Sequence, residues 1–90
     1  MLTDASGTIT AGGTAQDALA GSSGRQYLLV HNPTTETEAL LVNVTGGTAA
    51  ATNAVHLAPG GTLEFDTFTP GDTVSVLAAT TGHKFIIWWS

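Results

Sequence analysis

No window of this chain carries an apolar repeat of about 3.6 residues over the roughly eleven positions that an amphipathic helix needs. What recurs is the other period. Short alternating runs follow one another at intervals of roughly 8–12 residues, each closed by glycine, proline or both. Residues 25–33 (RQYLLVHNP) put Tyr27, Leu29 and His31 on one face and Leu28 and Val30 on the other, and Pro33 stops the run. Residues 39–44 set Leu40, Val42 and Val44 against Leu41 and Asn43, before Thr45-Gly46-Gly47. The short piece Val55-His56-Leu57 ends at Ala58-Pro59-Gly60-Gly61, where proline suits the second turn position and glycine supplies positive φ. Residues 62–68 alternate Leu63 and Phe65 with Glu64 and Asp66. Residues 73–79 alternate Val74, Val76 and Ala78 with Thr73, Ser75 and Leu77, and Thr80-Thr81-Gly82-His83 turns the chain into KFIIWW.

These signals predict an all-β fold: a small antiparallel β-sandwich or barrel, jelly-roll or Greek-key-like, of about seven strands. The sixteen threonines fit, because β-branched residues suit a half-exposed pleated surface. Upstream, residues 15–20 admit one turn of helix, too short to stand alone. Alternation at Ala15, Asp17 and Leu19, after a Gly12-Gly13 bend, favours a strand. Ninety residues make a single domain, 1–90, with residues 1–7 read as a flexible arm.

A chain of this length buries only about 60–65% of its unfolded surface, so its stability is thin without a supplement. Cysteine is absent, which excludes disulfides. His31, His56 and His83 lie too far apart in sequence for a chelating pair, and only a threefold assembly would gather copies of one of them. Association with other subunits is the remaining supplement. Charged residues are 10% of the chain, against about 25% in ordinary domains. Arg25 and Lys84 are the only cations beside seven carboxylates, so partners that need a basic surface, nucleic acid and anionic membrane, are not expected. Met1 is followed by LTDASG rather than by a basic and then an apolar region, and no apolar run is long enough to span a bilayer. The expectation is a soluble protein made in the cytoplasm.

Chemistry is sparse. Ser75, any histidine and an aspartate can be assembled on paper into a triad, but no nucleophile elbow exposes the serine. Glu36 and Glu38 sit in a polar TTETE run that reads as a solvated loop, and Glu64 and Asp66 share the outer face of a strand as solubilising or edge-guarding charge. The glycine pairs at 12–13, 46–47 and 60–61 precede no helix and no phosphate-binding lysine. Asn43-Val44-Thr45 spells a glycosylation sequon without a secretory signal. His31, beside Asn32-Pro33, reads as a hydrogen-bonding cap. No catalytic residue, cofactor or metal ligand is expected, and the chain reads as a non-enzyme. The aromatic residues leave room for a sugar-binding platform as a reading of another class.

Four stretches in order, GGTAQDAL, RQYLLVHNP, HLAPGGTLEF and TVSVLAATTGHKF, resemble the small all-β virion proteins of tailed bacteriophages across roughly residues 12–86. The resemblance implies a structural protein on the outer surface of the capsid, a decoration or cement protein, or else a neck, tail or fibre-anchoring protein. The implied partners are the major capsid protein and further copies of the chain, with a homotrimer favoured. The doubled tryptophan lies outside the shared pattern. It belongs to FIIWW, Phe85, Ile86, Ile87, Trp88 and Trp89, and these five residues are the expected assembly contacts. Alternation divides them: Phe85, Ile87 and Trp89 toward the core, Ile86 and Trp88 away from it.

Overall fold

Where aliphatic and β-branched residues alternate the chain extends, and where glycine takes positive φ it turns. The computed structural model describes residues 1–90 and contains no helix. Its strands are β1 (Thr3–Asp4), β2 (Gly7–Thr8), β3 (Gln16–Leu19), β4 (Leu28–His31), β5 (Leu40–Asn43), β6 (Val55–Leu57), β7 (Thr62–Phe65), β8 (Val74–Leu77) and β9 (Lys84–Trp89). The turn before β7 works as its residue types demand: Gly60 has φ of 86° and Gly61 N–H closes the turn on Ala58 C=O.

All pairings are antiparallel, and they nest. β5 pairs β6, β4 pairs β7, β3 pairs β8, and β1 and β2 lie one after the other along β9. The chain is thus one long hairpin, rolled so that β4 also meets β9 and β5 also meets β8. Rolling produces two sheets, β1/β2–β9–β4–β7 and β3–β8–β5–β6. Nested pairs distributed over two sheets are the connectivity of a jelly roll. The all-β sandwich expected from the alternation is present, with nine strands rather than about seven. The extra strands are β1 and β2, which hold the expected arm against β9: Ala5 N–H bonds Ile87 C=O and Ser6 Oγ accepts Ile87 N–H.

The inner faces meet in one core of Ile9, Leu28, Val30, Leu40, Val42, Leu57, Val74, Val76, Ala78, Phe85 and Ile87. Leu63, Phe65 and Trp89 pack against it while half-exposed. Gly12 marks a close approach: a Cβ there would lie 2.4 Å from Ala79 C=O, so the 10–14 turn and the 79–82 turn can touch only at glycine.

The sheets differ in what covers their outer faces. Residues 44–54 fold back over the Asn43–Ser75 end of the second sheet. Ala49, buried, donates its N–H to Ser75 Oγ at 3.0 Å, and Asn43 Nδ2 donates to Asn53 C=O at 3.0 Å. Asn43 and Ser75 therefore point outward from their strands yet are buried. Asn43 spends its Oδ1 on the Thr45 N–H and hydroxyl, so the sequon carries a structural turn. On the outer face of the first sheet Trp88 stays exposed.

Candidate assembly surface

In β4 and β9 every second residue that does not enter the core must face outward, and the register decides which of them become neighbours. Leu29 lies opposite Trp88 on one side and Glu64 on the other; Trp88 in turn lies opposite Asp4. One row therefore crosses the whole sheet as Asp4–Trp88–Leu29–Glu64. The next row is Ile86–His31–Thr62, in which His31 Nδ1 and Thr62 Oγ1 are 2.8 Å apart. Trp88 is 42% exposed, a large fraction for an indole in the middle of a strand. Leu29 and Ile86 are half-buried. The result is an apolar centre with a carboxylate at each end.

Both carboxylates are held in place. Tyr27 donates its hydroxyl to Glu64 Oε2 at 2.5 Å, and this bond, with the adjacent negative charge, raises the phenol above its ordinary value. Asp4 Oδ1 accepts the Ser6 N–H at 2.9 Å, and hydrogen bonds from Ser6 side chain and backbone lower its carboxyl below the usual range.

Of the five expected assembly residues, the structure brings only Ile86 and Trp88 to this surface. Phe85 and Ile87 are core residues, and Trp89 packs against the core. The Trp89 ring lies 5.9 Å from the Arg25 guanidinium carbon. Arg25 itself is buried and does not pair with a carboxylate side chain at a sheet edge: Nη1 donates to Pro70 and Asp72 carbonyls at 2.9 and 3.2 Å, Nη2 to Ala20 C=O at 2.7 Å. Burial lowers its pKa, and the Asp72 charge opposes that shift. Leu29, Tyr27, Asp4 and Glu64 complete the surface. The alternation of residues 25–33 places Tyr27 and Leu29 on one face, and only the pairing of β4 with β9 joins that face to Ile86 and Trp88.

A second polar cluster corrects the solvated-loop reading of Glu36 and Glu38. Both carboxylates reach His83, with Glu38 Oε2 3.4 Å and Glu36 Oε1 3.6 Å from Nδ1. Glu38 also accepts the Thr80 hydroxyl at 2.7 Å and the Thr80 N–H at 2.9 Å, and the Thr80 hydroxyl bond is the leading reason its carboxyl titrates below the ordinary value. His83 Nε2 lies 2.8 Å from Asn32 Oδ1. Asn32 Nδ2 already donates to Glu38 and Leu57 carbonyls, so Oδ1 accepts and His83 Nε2 carries the proton. The cap at the end of β4 is thus Asn32, while His31 points outward. The His83 side chain is 1% exposed, which leaves no approach for a substrate, and the cluster fastens the 33–39 loop to the 79–83 turn.

Ser75 is buried under Ala49, and His56 reaches Ala51 C=O. No group of three histidine or carboxylate side chains is arranged to hold a metal. The one concavity, about 230 Å³, is an open apolar groove on the second sheet lined by Gly13, Leu41, Leu77, Ala78 and Ala79. Compared with known protein families, with characterised proteins and with solved structures, the chain matches none.

Proposed function

We propose that the chain is a structural protein of a tailed-bacteriophage particle, a capsid decoration protein that seats on the outer surface of the assembled head shell as a homo-oligomer and stabilises it. The observation that carries the reading is the row on the first sheet where Trp88, exposed in mid-strand, lies beside Leu29. An exposed tryptophan is a strong anchor for a protein contact. The ordered sequence stretches that resemble small virion proteins supply the particular partner, the major capsid protein. A binder that recognises only the assembled shell stabilises it by mass action. The molecule is large enough for such a contact, since an interface of about 800 Å² per partner is roughly one-sixth of the 4727 Å² that the chain exposes. A trimer matches the threefold sites of capsid lattices, an argument by analogy of architecture.

The test is cosedimentation with empty shells of the phage that encodes the chain, followed by cryo-electron microscopy. Wild-type protein is expected to pellet with shells at regular lattice sites, and Trp88→Ala to remain in the supernatant. Density at a single vertex would instead assign a neck, tail or fibre-anchoring role. One observation favours a reading of another class: an exposed indole between two carboxylates and a phenol is also a surface on which a sugar ring can stack. Binding on a glycan array without shell association would select that carbohydrate-binding reading.

A further inference from the structure

We infer that the Asp4–Trp88–Leu29–Glu64 face docks a cationic apolar surface of a partner protein, one that presents arginine or lysine beside aliphatic side chains, and that it is not the contact between copies of this chain. The inference deepens the shell-binding reading and rests on it for the partner being a protein.

The apolar centre of the row is two residues wide, and Asp4 and Glu64 close it on either side, with Asp66 just past the end of β7. Any partner that covers Trp88 and Leu29 therefore also covers or abuts carboxylates. A carboxylate taken from water without a cation or donors is strongly disfavoured. A second copy is a poor source of those cations. Arg25 is buried, and its guanidinium is committed to the carbonyls of Ala20, Pro70 and Asp72. Lys84, exposed on the outer face of β9 four residues from Trp88, is a single lysine set against Asp4, Glu64 and Asp66.

Two such faces set against each other would mainly oppose carboxylate to carboxylate. A partner that carries arginine satisfies the same geometry. Its guanidinium can take Asp4 or Glu64 bidentately and lie over the Trp88 indole, while its apolar side chains cover Leu29 and Ile86. Tyr27 and Ser6 hold the two carboxylates ready, so little ordering remains at the moment of contact. Self-association has another candidate surface in the uncharged Leu41–Leu77 groove of the second sheet.

The test uses two synthetic peptides, one alternating arginine with leucine and the other alternating glutamate with leucine, titrated into isotope-labelled protein. The arginine peptide is expected to move the amide signals of Leu29, His31, Ile86 and Trp88, and the glutamate peptide to move none of them. The Asp4→Asn/Glu64→Gln double variant is expected to bind the arginine peptide about tenfold more weakly, with a shallower dependence on salt. Trp88→Ala should leave the oligomeric state in analytical ultracentrifugation unchanged.

Equal binding of both peptides, or undiminished binding by the double variant, overturns the inference. So does dissociation of a wild-type oligomer on Trp88→Ala, because the face would then be the self-contact. Shells provide the separate control. Shell binding that ignores salt and both charge substitutions defeats this inference and leaves the shell reading standing. Discrimination between the peptides with no shell binding supports the cationic docking face and defeats the shell reading.

Discussion

Trp88 and Trp89 are adjacent in sequence and opposite in consequence. Trp89 leans on the core and on the Arg25 guanidinium, whereas Trp88 stands on the outer face. Replacing Trp89 with alanine should destabilise the fold by about 3 kcal/mol, the usual loss for a large aromatic removed from a packed site. Trp88→Ala should change stability by no more than about 1 kcal/mol and act on binding instead. Paired chemical denaturation of the two variants checks this, and equal midpoints would contradict the division of faces. Glu38 provides a pH test. Its carboxyl titrates below the ordinary value of 4.5 in the folded chain because Thr80 hydrogen-bonds the ionised form. A depressed folded-state pKa means that the contribution is present above the unfolded value and is lost as pH falls through the folded one. The melting temperature of the wild type should therefore drop more steeply below about pH 4.5 than that of Glu38→Gln.

Among the strands, β9 holds the first sheet together, because it lies between β1/β2 and β4. Truncation after Lys84 removes Phe85 and Ile87 from the core, strips β1 and β2 of their ladder partner and leaves β4 paired on one side only. The truncated chain should give a disordered circular dichroism spectrum, and a soluble, cooperatively melting product would contradict the central position of the strand. Most strands and their faces are legible in the alternation. Leu28 with Val30, Val74 with Val76, and Phe85 with Ile87 separate from their neighbours because side chains switch faces at every residue of a strand. The contacts of Glu36 and Glu38 escape the sequence for an equally physical reason. A loop's partners are set by what it is folded against, here Thr80 and His83, and no local period encodes that.

Over the full length of the chain, nesting slows folding. The outermost pair sets Thr3 opposite Trp89, so the ladder that closes the first sheet joins the first strand to the last. Sheets closed by such distant pairs fold in about milliseconds to seconds for domains of this size. Stopped-flow refolding followed by tryptophan fluorescence should fall in that range, and microsecond folding would argue against the nested order.

Residue order is enough to dictate that the chain forms short strands, which side of each strand is apolar, where the turns fall, and that two cations among seven carboxylates leave it acidic. These are properties of residues and their immediate neighbours. Folding adds what no neighbour relation contains: Leu29 meets Trp88, Asp4 and Glu64 bracket them, and residues 44–54 cover the Asn43–Ser75 end of the second sheet. The reason is that register and layer are set by burying both apolar faces at once, and a surface shared by four strands comes into being only when they pair.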